Sequence, residues 1–110
     1  MAYDEGLANR IRDLLATERG LSEKKMFGGL AFLVEGNMAV AAMGHGGLLV
    51  RVDPAATDGL VETTRATPMV MRGRPMQGWL RLVSEDVRTK RQLTKWVEIG
   101  VSFARSLPRK

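Results

Sequence analysis

Leu7, Ile11, Leu14 and Leu15 recur at helical spacing behind Asp4, with Arg10, Arg12, Asp13 and Glu18 on the rest of the wheel. This pattern predicts an amphipathic helix over about residues 4–18, N-capped by Asp4 and stopped at Gly20. From Met26 the period changes. Met26–Val34, Met38–Met43 and Leu48–Val52 are short apolar runs separated by Glu35-Gly36-Asn37 and Gly44-His45-Gly46-Gly47. Apolar runs joined by glycine-bearing turns predict three strands in an antiparallel meander. Asp53-Pro54 then reads as a helix start: the aspartate caps free amides, and proline at the first helical position loses no needed N–H. That short helix, about residues 54–64, contains Gly59, which costs roughly 1 kcal/mol relative to alanine.

Met69-Val70-Met71 and Trp79-Leu80-Arg81-Leu82 flank Arg72-Gly73-Arg74-Pro75, which predicts a hairpin over Pro68–Leu82. Ser84, followed by Glu85 and Asp86, reads as the N-cap of a last helix that runs to about Leu107 and ends at Pro108. Leu93, Trp96, Val97, Gly100, Ala104 and Leu107 share one face of it, and Arg88, Arg91, Lys95, Glu98, Ser102 and Arg105 the other. The predicted order is α-β-β-β-α-β-β-α. The fold class it implies is α+β: a two-layer sandwich with helices on one face of an antiparallel sheet.

The strands do not alternate cleanly. In the second run Met38, Val40 and Ala42 are apolar, and so are Ala39, Ala41 and Met43. In the first, Phe27, Gly29, Ala31 and Leu33 oppose Gly28, Leu30, Phe32 and Val34. With helices on one side only, the other side is expected to expose an apolar face of a kind that monomers avoid. The expectation is a partner on that face or on a strand edge, most simply a second copy.

Length and charge narrow this further. At 110 residues the chain is expected to be one domain over residues 1–110. Hydrophobic residues at 45% and charged residues at 26% are ordinary for a globular chain and argue against disorder. The absence of cysteine excludes disulfides, thiolate zinc sites and thiol catalysis. The acidic N-terminus lacks a secretory signal pattern, and the uncharged stretch Gly36–Val50 is too rich in glycine to be a span. A cytoplasmic protein with no membrane partner is expected. The net charge of +5 is uneven: residues 1–55 carry −1 and residues 56–110 carry +6.

Little in the sequence points to catalysis. His45 stands in a glycine-rich turn with no convergent partners for metal binding or proton transfer. Ser84 reads as a cap, Ser22 as a loop residue and Ser102 as helix surface, none in a nucleophile-elbow context. Gly28-Gly29 misses the spacing of phosphate-binding loops and lies inside an apolar run, so it reads as a bulge or a close backbone approach. No catalytic residue, metal ligand or cofactor is expected. Arg72 and Arg74 on the hairpin, with Arg88, Arg91 and Lys95 on the last helix, form a candidate basic patch for a phosphate backbone. The methionines in and beside the strands suit either core filling or an adaptable surface.

Lys25-Met26-Phe27-Gly28-Gly29-Leu30-Ala31-Phe32 resembles the opening motif of the TfoX/Sxy N-terminal domain family. Gly36-Asn37-Met38, Leu48-Leu49-Val50-Arg51-Val52-Asp53, Pro68-Met69 and Gly73-Arg74-Pro75-Met76-Gln77-Gly78-Trp79 are similar to its later segments. The resemblance spans about residues 3–105. It implies an α+β domain like that of secretion chaperones and supplies no catalytic residues. The family is named for bacterial competence regulators in which a separate C-terminal domain follows; here the sequence ends at Lys110, so a stand-alone domain is expected. Met26, Phe27, Gly28, Gly29 and Arg51 match family positions and are the candidate interaction residues. The functional expectation is a small non-enzymatic regulatory or interaction domain, self-associating through an apolar sheet face or edge. The alternative is a nucleic-acid-associated regulator that uses the basic hairpin and the last helix.

Overall fold

Asp4 opens the first element as predicted: its carboxylate accepts the Leu7 N–H at 3.0 Å. The computed structural model describes residues 4–26, 28–44 and 46–109, and of Met71 the backbone. Helix α1 (Glu5–Leu14) is shorter than expected, with Leu15 as its C-cap. The chain leaves it through i→i−3 turns, Ala16 to Asp13 and Glu18 to Leu15, before Gly20 at φ +70°. Glu18 does not extend the helix but accepts the Arg105 guanidinium at 3.0 Å.

Among the described residues the chain forms three α-helices and one six-stranded antiparallel sheet. The strands are β1 (Leu21–Met26), β2 (Gly29–Val34), β3 (Asn37–Ala42), β4 (Leu48–Arg51), β5 (Thr67–Met71) and β6 (Arg74–Leu82). They lie in the order β1-β2-β3-β4-β6-β5, every pair antiparallel. A 3-10 turn (Pro54–Ala56) leads into α2 (Thr57–Thr63), and a second (Ser84–Val87) precedes α3 (Lys90–Ser106). The α+β class and the sequence of helices and strand groups are as predicted, but the first strand group has four members, not three.

The extra strand is β1. The sequence reading treats Met26–Val34 as one run, whereas the chain reverses inside it: Met26 and Gly29 face each other across the ladder, with Gly28 at φ +75°. Ser22 and Lys24-Lys25 are therefore strand residues. Ser22, Glu23, Lys24 and Lys25 are all exposed, so no apolar alternation announces the strand. Charge on an edge strand discourages pairing with other chains. Glu23 also ties β1 to α1, because the Arg12 guanidinium grips it through two bonds of 2.7 and 2.8 Å. That hydrogen bonding holds the Glu23 carboxyl below its ordinary pKa.

The last helix also starts differently. Ser84 makes no capping hydrogen bond; Glu85 and Asp86 lie in the 3-10 turn. Thr89 is the true N-cap of α3. Its hydroxyl accepts the Gln92 N–H at 3.1 Å, and the Gln92 side chain accepts the Thr89 N–H at 2.9 Å. This capping box satisfies two otherwise orphaned amides, which outweighs the dipole preference of the acidic pair upstream.

The helices share one sheet face. Phe32, Val34, Val40, Leu48, Val50, Leu80 and Leu82 meet Leu7 and Ile11 of α1 and Leu93, Trp96, Val97 and Ala104 of α3. Gly100 lets α3 lie directly on β3, since a Cβ there would stand 2.5 Å from the Ala39 carbonyl oxygen. The buried Asn37 amide donates to the Pro108 carbonyl at 2.9 Å, which ties the chain beyond α3 to the sheet.

Ahead of α2, Asp53 caps the 3-10 turn by accepting the Ala55 N–H at 2.9 Å, as the Asp-Pro start predicts. Gly59 is exposed, its φ is not positive, and nothing lies within 4 Å of where its Cβ would stand. Gly59→Ala is therefore expected to stabilise the protein by about 0.5–1 kcal/mol, by restricting the unfolded chain and improving helix propensity. Thermal denaturation should show a rise of roughly 3–6 °C.

Candidate functional site

The second sheet face is apolar, as expected, but it is not exposed. Ala31, Met38, Ala41, Met43 and Leu49 form a second core cluster, each no more than 9% accessible, ringed by Met26, Leu33, Met69 and Trp79. Among the described residues the exposed large hydrophobics are Val70 and Val83, neither of them part of this cluster. Among the described residues, the expectation that this apolar face is exposed does not hold.

Two irregularities in the ladder accompany the burial. Between β2 and β3, Phe32 faces Val40 and Leu33 faces Met38, leaving Ala39 as an extra residue. That bulge shifts the phase, so Met38 joins Ala41 and Met43 on the second face while Ala39 and Val40 both face the helices. Between β5 and β6, Pro68 faces Leu80 but Met69 faces Met76, leaving Gln77, Gly78 and Trp79 without partners on β5. Gly78 has φ +90°; its N–H donates to Thr57 Oγ1 and its carbonyl accepts the Val52 N–H, both at 2.8 Å. In a flat sheet β1 and β5 would lie roughly 24 Å apart, five spacings of about 4.8 Å. Here Met26 of β1 and Met69 of β5 line one cavity of about 80 Å³. The sheet is thus curled, with its second face inward.

Met43, Leu49, Met76 and Trp79 complete the main walls of that cavity. Beside it stands Arg51, the last residue of β4, paired across the ladder with Trp79. Its guanidinium carbon is 5.3 Å from the Trp79 ring centroid and 5.6 Å from that of Phe103 on α3. Each contact is of cation–π type, which a half-buried guanidinium favours. Among the described residues Arg51 makes no side-chain hydrogen bond and no ion pair. Asp53, two residues on, is occupied as the cap of the 3-10 turn.

Of the motif residues singled out in the sequence, the structure places Met26 and Arg51 around Trp79 and this cavity. Gly28 and Gly29 act through the backbone. Gly28 has open space around it but a left-handed φ, while a Cβ on buried Gly29 would overlap the Ala42 carbonyl oxygen. Phe27 and His45 lie outside the described residues. Trp79, Met43, Met69 and Met76 were not singled out as a site. No local signal could do so, because their convergence depends on β4 pairing with β6 and on the curl.

The basic residues are spread over the β5–β6 turn, the second 3-10 turn and α3. Arg91 and Lys95 line a broad groove of about 1000 Å³ between α3 and the Pro54–Thr63 segment, with Phe103 at its wall. Arg72 and Arg74 flank Gly73 at the β5–β6 turn, and Arg88 caps the second 3-10 turn; none of these three lines the groove. All five are exposed, and among the described residues none has a carboxylate partner. Among the described residues no cluster of three or more His, Cys, Asp or Glu is placed to hold a metal, and no helix is long and apolar enough to cross a membrane. Like Glu23, the Glu35 carboxyl is held below its ordinary pKa, here by the hydrogen bond from Arg109. Each joins two surface elements, and neither lines the cavity.

A search of curated proteins finds no match. The model of the TfoX N-terminal domain matches residues 13–104, a stretch that runs from within α1 to within α3 and includes the cavity, Arg51 and both glycines of the motif, so the chain belongs to the TfoX N-terminal domain family.

Proposed function

We propose that this domain is a non-enzymatic cytoplasmic interaction module that self-associates through the edge of β5. The observation that carries this reading is the contrast between the two sheet edges. β1 presents Glu23, Lys24 and Lys25 to solvent. β5, Thr67-Pro68-Met69-Val70-Met71, contains no charged side chain and leaves Val70 55% exposed. Natural edge strands are usually blunted by charge, so an uncharged edge with an exposed β-branched residue is suited to pairing. Pro68 has no N–H to donate, which confines a new ladder to the residues after it. An antiparallel pairing of β5 with β5 of a second copy is isologous, uses main-chain hydrogen bonds for affinity and closes as a dimer.

Light scattering across a concentration series tests this. The wild type is expected to approach twice the chain mass, Val70→Lys to stay monomeric, and Lys24→Ala on the opposite edge to behave as wild type. A wild type that remains monomeric at high concentration would end the proposal.

A second reading is favoured by the exposed cations that, among the described residues, have no acidic partner. Arg72, Arg74, Arg88, Arg91 and Lys95 would contact nucleic-acid phosphates non-specifically, and duplex binding would then weaken steeply with salt.

A further inference from the structure

We propose that the cavity between the sheet edges, together with Arg51, is a binding site for a short-chain aliphatic monocarboxylate. The proposal is independent of pairing at β5. Three observations carry it: the size and lining of the cavity, the position of Arg51 and, among the described residues, its lack of an acidic partner.

The size of the cavity selects the tail. A cavity of about 80 Å³ is small on the scale of ligand sites. That suits a chain of three or four carbons and is too small for an aromatic ring, which occupies a cavity of about 150 Å³. Met26, Met43, Met69 and Met76 supply unbranched, polarizable walls that adjust to such a chain. With so few polar groups in the walls, water gains little there and a hydrocarbon tail is favoured.

Arg51 selects the head group. It lies two positions along β4 from Leu49, a cavity wall, so both project to the same side of the strand about 7 Å apart. Trp79 contacts both the void and the guanidinium. Two rings hold the guanidinium in place, so little side-chain freedom is lost when it binds an anion. A planar fork of N–H donors matches a carboxylate through two hydrogen bonds. A neutral ligand would leave that cation unused, and a dianion would find a single guanidinium there.

The test is a titration of protein carrying ¹³C-methyl methionine with sodium butyrate, and in parallel with 1-butanol. Butyrate is expected to shift the methyls of Met26, Met43, Met69 and Met76 saturably, and to leave Met38, outside the cavity, in place. Butanol is expected to bind at least about tenfold more weakly, and Arg51→Gln to lose at least about tenfold in butyrate affinity, the scale of losing the charge behind the two hydrogen bonds. No saturable shift, equal affinity for butyrate and butanol, or a folded Arg51→Gln with unchanged affinity would each overturn the proposal. If Arg51→Gln does not fold, the wild-type comparison of acid with alcohol decides.

Discussion

Gly100→Ala is expected to lower the melting temperature by roughly 10 °C, a loss of about 2 kcal/mol. On helix propensity alone the sign would be opposite, since alanine gains about 1 kcal/mol over glycine within a helix. The geometry reverses it. The new methyl would stand 2.5 Å from the Ala39 carbonyl oxygen and 2.9 Å from Val40 Cγ1. A side-chain methyl can rotate away, but the Ala39 carbonyl belongs to the β3 bulge and cannot, so α3 must lift. Lifting α3 separates Trp96, Val97 and Ala104 from the strands they cover. Gly59→Ala is the matched control, the same substitution in a helix with no neighbour to strike. If both variants were stabilised, the close helix–sheet contact would be refuted.

Gly29→Ala is expected to cost more, about 3 kcal/mol. Here all the nearest atoms are backbone: a Cβ overlaps the Ala42 carbonyl oxygen and lies 3.1 Å from both Met43 Cα and Gly44 N. No rotamer relieves this. Either the end of β2 opens from β3 or the turn back to β1 moves, and both disturb Met43 and the cavity wall. Gly28→Ala should be milder, about 1–2 kcal/mol, because its penalty is a left-handed φ in open space. Urea denaturation of the two variants gives the order directly. Gly29→Ala as stable as the wild type would show that the second glycine of the motif is not there for close packing.

The two glycines also show where a local reading stops. Gly29 was legible in kind: a glycine in an apolar strand marks a close approach. Gly28 was not, because it lies in an unbroken apolar run and nothing nearby marks a reversal. The strand before it, β1, carries four exposed polar or charged residues in a row and has no periodicity to read. The start of α3 was legible and misplaced. Thr89-Lys90-Arg91-Gln92 has capping-box spacing, but Ser84 with its acidic neighbours came first along the chain.

Local chemistry by itself determined the apolar faces of α1 and α3, the Asp4 and Asp53 caps, the antiparallel sheet and the one-sided helix layer. Each depends on residues within a few positions of one another, where helical or strand period reports directly on burial. Tertiary structure alone decided that β1 is an edge strand, that the second apolar face is enclosed and that Arg51 meets Trp79 and Phe103. Those outcomes depend on bulges that shift strand phase and on curl that brings the two sheet edges together. Phase and curl are set by contacts between residues distant in sequence, such as Gly78 with Thr57 and Val52, and no window along the chain contains them.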